Sequence, residues 1–163
     1  MKRDTKTALL FGLILLGGAL LAMNAPKIAS LIRGIRNHNP GNIVRTGIKW
    51  QGMAADQSSD PRFVVFTSAE YGIRALARVL RNYIAQGYNT VQSIIARYAP
   101  ASENDTASYV NAVARSLGVS PNQPLNFDQS KTALVNAIIR HENGVNPYSA
   151  DTIARGIQME LSS

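Results

Sequence analysis

Cysteine is absent from the 163 residues. Disulfide staples, zinc–thiolate sites, iron–sulfur clusters and a thiol nucleophile are therefore excluded. The compartment stays open, because a chain with a sufficient core needs no staples in an oxidising one. Histidine occurs only as His38 and His141, too few for a three-histidine metal site. No internal repeat, long linker or glycine-rich phosphate loop is visible. Acidic side chains are scarce as well: 10 stand against 17 basic ones, for a formal charge of +7. A basic balance suits a polyanionic partner such as nucleic acid, anionic lipid or an acidic cell-wall polymer, without choosing among them. What is present is 45% hydrophobic residues with 12 Gly and 7 Pro. That composition belongs to a globular chain and excludes a disordered tail, a collagen-like repeat and a multi-span membrane protein.

The N-terminal residues Met1 to Lys6 are mostly polar, with Lys2, Arg3 and Lys6 among them. An uninterrupted apolar and glycine run follows from Ala8 to Ala22. The run is short beside the roughly 20 residues of a membrane span. It is compatible with a cleaved signal peptide, an uncleaved anchor or a buried helix. The reading adopted is a transmembrane or signal-anchor segment over 1–25. Its basic end stays in the cytoplasm and the domain 26–163 lies beyond a lipid bilayer or within a virion.

After a helical stretch over 25–36, Asn39-Pro40-Gly41-Asn42 predicts a type II turn, with Pro second and Gly third. Residues 43–51 and 62–66 alternate as two strands of a small hairpin. Ile73, Leu76, Ala77, Leu80 and Ile84 then recur at helical spacing over 68–86. Further helices are expected from Thr90 to Tyr98, from Asp105 to Leu117, from Ser130 to Asn143 and over 149–161. Ser68, Thr90, Asp105 and Ser130 serve as N-caps, and Gly118 and Gly144 as stops. The expected fold class is α+β: a mainly helical domain with a small β-hairpin, preceded by a membrane helix.

One carboxylate stands out. Leu134, Val135, Ile138 and Ile139 form the apolar stripe of the fourth of these helices, and Glu142 falls on the same stripe one turn later. An apolar surface and the negative end of the helix both disfavour its ionised form. That combination keeps a carboxylic acid protonated near neutral pH, as a general acid requires. The remaining acids have plainer readings. Glu70 sits in a first turn, Glu103 precedes a cap, Asp105 is a cap, and Asp60 is a turn residue that could serve as a second carboxylate. His141 reads as a dipole partner at the helix end. Trp50, Tyr109 and Tyr148 are candidates for packing on sugar rings. Asn39, Asn42, Asn104 and Asn143, with Glu103, are candidates for bonds to sugar hydroxyl and N-acetyl groups. Neither a metal nor a cofactor is called for.

The segment Gly34-Ile35-Arg36-Asn37-His38-Asn39-Pro40-Gly41-Asn42-Ile43 resembles the opening motif of a family of phage and prophage virion proteins that degrade peptidoglycan. Phe66–Leu80, Ala99–Tyr109 and Ile139–Tyr148 resemble three further blocks, in the same order. His38 and Tyr98 depart from the family pattern, which often has Asn and Trp there. The resemblance spans residues 34 to about 158. It implies a lysozyme-like domain, a peptidoglycan glycan strand as substrate, and Glu142 as the acid at a helix end facing the 42–66 hairpin.

Together these readings lead to an expected activity: cleavage of the β-1,4 bond between N-acetylmuramic acid and N-acetylglucosamine. The absence of an evident partner carboxylate favours a lytic transglycosylase over a hydrolytic muramidase. The rivals are a non-catalytic, membrane-anchored virion or wall-binding component and a holin-like protein worked by its N-terminal run. Other virion proteins are expected partners, and specific nucleic-acid binding is not.

Overall fold

Among the described residues the helical periodicity read from the sequence takes shape, after residue 68, as five α-helices: α1 (Ala69–Ala85), α2 (Val91–Tyr98), α3 (Thr106–Leu117), α4 (Phe127–Asn143) and α5 (Ala150–Leu161). The computed structural model describes residues 33–100 and 105–162, opening in helical residues at 33–36. Helix starts follow local chemistry. Thr90 and Ser93 form a reciprocal capping box, Asp105 accepts from the Ser108 N–H, and Ser149 accepts from the Thr152 N–H. Ser68 occupies the N-cap position of α1, but its side chain makes no capping bond. Helix α4 begins at Phe127, earlier than the expected Ser130, because Asn126 accepts from the Gln129 N–H and caps it there. Gly118 and Gly144 end α3 and α4 in the left-handed conformation.

The helices share one core. Ile73, Leu76 and Leu80 of α1 are fully buried with Ile94 and Ile95 of α2, Val110 and Val113 of α3, Leu134 and Ile138 of α4, and Ile153 of α5. Each such aliphatic side chain contributes about 1.5–3 kcal/mol through burial. The most extensive helix pair is α1 with α5. At its end Glu160, 1% exposed, accepts from Arg78 at 3.2 Å and Arg81 at 3.0 Å. Two half-exposed guanidiniums thus carry the charge of a carboxylate that burial alone would not tolerate.

The expected α+β class is corrected to an all-helical fold: the described residues contain no strand and no sheet. Where the hairpin was expected there are only isolated antiparallel bridges, Val44 with Phe63 and Met53 with Phe66. The reason is that side chains take over the ladder's hydrogen bonds. Gln57 bonds both the N–H and the C=O of Val65. Asp60 accepts from the N–H groups of Arg62 and Phe63. Asn39 donates to the carbonyls of Ile43 and Val64. Such competition replaces strand pairing with a folded loop. No helix among the described residues is long and apolar enough to cross a membrane. The segment 1–25, read as a membrane helix, lies outside the described residues, as do Glu103 and Asn104.

The turn at 39–42 closes by a 2.9 Å bond from the Asn42 N–H to the Asn39 carbonyl, but it is not type II. The left-handed residue is Asn42, at φ 49°, and not Gly41. Glycine is needed at 41 for room instead: a Cβ there would lie 2.8 Å from the Tyr98 hydroxyl oxygen and 3.2 Å from Leu76. Tyr98 in turn donates to the Gly41 carbonyl. This close approach seats the loop on α1 and α2. A second, smaller core of Ile43, Val64, Phe66 and Ala75 then forms beneath Trp50, Met53 and Tyr71.

Candidate active site

Between the loop and the helices runs a groove of about 900 Å³. The loop side contributes Asn42, Ile48, Trp50 and Phe63. Helix α1 contributes Val79, Asn82 and Tyr83, the end of α2 contributes Tyr98, and α4 contributes Glu142. Glu142 is the one carboxylate among the described residues that line it.

Glu142 is held at both oxygens. Tyr109 donates its hydroxyl to Oε1 at 2.9 Å, and Asn42 donates Nδ2 to Oε2 at 3.0 Å. These partners lie 33 and 100 residues away in sequence. Removal from water raises the carboxyl above its ordinary value, against the lowering pull of the Asn42 and Tyr109 bonds and of the Arg33 charge. Each carboxyl oxygen has two lone pairs, so one bond per oxygen leaves a position for a proton. The result is a group with raised affinity for a proton, fixed in orientation and facing a groove.

Behind it the tyrosines are kept as phenols. Burial pushes both Tyr98 and Tyr109 well above the usual tyrosine range, and the Glu142 charge adds to it. Tyr109 is also braced from the side, its ring stacked on His141 with centroids 3.5 Å apart and planes 12° from parallel. It therefore donates to Glu142 and does not compete with it as a second acid.

The residues predicted from sequence divide by position. Glu142, Asn42 and Trp50 come together in the groove. Tyr109 reaches Glu142 from the protein side, not from the groove lining. Asn39 is fully buried, and its side chain serves only backbone groups at Ile43 and Val64. Asn143, 1% exposed, donates to the carbonyls of Pro40 at 2.7 Å and Ile139 at 2.9 Å, tying the turn to α4. Tyr148 packs half-buried against the main core. Asp60, considered as a second carboxylate, lies outside the groove lining. It accepts from Asn37 at 2.7 Å and from two backbone N–H groups. Sequence reasoning missed Arg33, Arg62 and Phe63 in the wall. Their only advance signal was that the basic residues had no assigned role.

Protein P5 of Pseudoalteromonas phage PM2 is 42% identical to this chain over 142 residues, covering 85% of the chain and 88% of the relative. The chain belongs to the family of that phage protein. The phage association expected from the motifs is thereby established. No protein-family model matches the sequence.

Proposed function

We propose that the groove binds a glycan strand of peptidoglycan and that Glu142 cleaves it as a general acid, in the manner of a lytic transglycosylase. The observation that carries this reading is Glu142 itself: a carboxylic acid raised by burial, bonded through both oxygens and opening on a groove of about 900 Å³. In this mechanism the acid proton passes to the glycosidic oxygen as its bond to C1 of the muramic sugar breaks. The carboxylate left behind takes the proton of the C6 hydroxyl, whose oxygen closes on C1. The product is a 1,6-anhydro end, and no water is consumed. A single carboxylate suffices, and Glu142 is the one carboxylate among the described residues that line the groove, where a hydrolase uses two. The resemblance of four ordered sequence blocks to phage peptidoglycan-degrading enzymes supports the same reading, and family membership with a phage protein suits a place in the virion.

The test is a zymogram on purified wall with the full chain beside Glu142→Gln. The expected outcome is a cleared band for the natural chain and none for the variant, with an unchanged circular dichroism spectrum. Mass spectrometry of the digest is expected to find anhydromuramic ends. Reducing muramic ends would select the hydrolytic muramidase, and wall binding with no cleavage would select a non-catalytic virion component.

A further inference from the structure

Two amide oxygens near Glu142 are not used by the site as described. Asn42 Oδ1 and Asn143 Oδ1 are both buried, and neither has a hydrogen-bond donor among the described residues. They face the same small space. A Cβ on Gly34 would lie 2.3 Å from Asn143 Oδ1 and 3.2 Å from Asn42 Oδ1, so glycine at that position leaves the two oxygens as neighbours. Buried acceptors without donors are costly, and two that face one another also repel. The two amides differ in freedom. Asn143 is fixed, because its Nδ2 donates to the carbonyls of Pro40 and Ile139 and would lose both bonds by turning. Asn42 has a single side-chain bond to exchange, from Nδ2 to Glu142 Oε2 at 3.0 Å.

That bond suits one protonation state of Glu142. A carboxylate only accepts, so it takes the Nδ2 hydrogen; a protonated carboxyl also donates, and an amide oxygen is the partner for it. A half-turn of the Asn42 amide about its Cβ–Cγ bond exchanges Oδ1 and Nδ2. It brings Oδ1 to Oε2 and Nδ2 to the space shared with Asn143 Oδ1, so both stranded oxygens gain a donor. The other groups around Glu142 offer no such choice. Tyr109 donates to Oε1 and is stacked on His141, Arg33 keeps its charge, and Tyr98 is a phenol committed to the Gly41 carbonyl.

We infer that Asn42 is a turning partner of Glu142, donating Nδ2–H to the carboxylate and accepting the proton of the carboxylic acid through Oδ1. The inference rests on the reading of Glu142 as the acid and adds to it the residue that positions the carboxyl in both of its states. A transglycosylase passes through both: the acid gives its proton to the glycosidic oxygen, and the carboxylate then takes the proton of the C6 hydroxyl. The amide turns as the first proton leaves and turns back as the second arrives. A fixed donor would favour the carboxylate alone.

The test follows the Asn42 side-chain amide by NMR through a pH titration of the full chain, with the carbon-13 signal of the Glu142 carboxyl read in the same samples. At low pH, where Glu142 holds its proton, the Nδ2 hydrogens are expected to show a strong Overhauser contact with the Gly34 Hα atoms. That contact should weaken as pH rises, with the same midpoint as the carboxyl signal. In Glu142→Gln, which cannot ionise, the Asn42 amide should show one pattern at every pH. An amide whose contacts stay constant while the carboxyl titrates overturns the inference, and so does a change that persists in Glu142→Gln. No glycan enters the measurement, so an amide that turns in a chain that clears no zymogram supports the pairing and removes only the lytic reading.

Discussion

At Glu142, desolvation pushes the carboxyl up, and two donors and one cation pull it down. Burial prevails, so the folded chain holds this proton at pH values where the unfolded chain has lost it. Stability contributed by the protonated group is complete below the unfolded value and is lost as pH rises through the folded one. In the proposed mechanism the same titration governs activity, because the acid must be protonated to deliver its proton. Activity is therefore expected to fall as pH rises through the raised value. Tyr109→Phe removes one downward pull and leaves the ring and its stacking on His141 in place. It should move that alkaline limb to higher pH and lower the maximal rate by roughly 10-fold, about the worth of one hydrogen bond to a charged group. A pH–rate profile of both proteins checks this. An unmoved limb would mean that the 2.9 Å contact does not set the acid's proton affinity.

Among the elements, the contact of α1 with α5 depends on Gly156. A Cβ at that position would lie 2.6 Å from the Cβ and Cγ2 of Ile73 and 2.9 Å from the Glu70 carbonyl oxygen. Neither neighbour can yield cheaply, since one is a branched core residue and the other is backbone. Gly156→Ala is expected to lower stability by about 1–3 kcal/mol despite alanine's better helix propensity. Chemical denaturation measures it, and a stabilised variant would show that the helices part without cost. Elements of this kind were legible in the sequence because helical signals are local: the Ile73–Leu80 stripe, the Thr90 cap and the Gly144 stop each lie within about two turns. The hairpin was misread for the converse reason. Residues 43–51 alternate like a strand, but Gln57 and Asn39 reach the backbone of Val65 and Val64 from 8 and 25 residues away, and no short window on the chain shows them doing it. The site divides the same way. Glu142 was visible from its own helix, whereas its donors Asn42 and Tyr109 read as sugar contacts because nothing local links them to it. Arg33 and Arg62 converge on Phe63 only once the loop has folded.

For the whole molecule, charge and catalysis are separable. On the proposed reading, the formal charge of +7 adds a long-range attraction to an acidic wall polymer that added salt screens, with a range of about 10 Å at 0.1 M and about 3 Å at 1 M. The fold itself rests on an apolar core and on Glu160's buried pairing, which salt reaches poorly. Raising salt from 0.05 to 0.5 M is therefore expected to weaken pelleting with purified wall by about 10-fold or more while leaving the thermal melting point nearly unchanged. Glu142→Gln exchanges a protonated carboxyl for a neutral amide of the same shape, so it should pellet at least as well as the natural chain while clearing nothing in a zymogram. That pairing of undiminished binding with lost lysis separates the two roles. A chain whose wall affinity fell together with its lysis would be using Glu142 to hold the polymer rather than to break it.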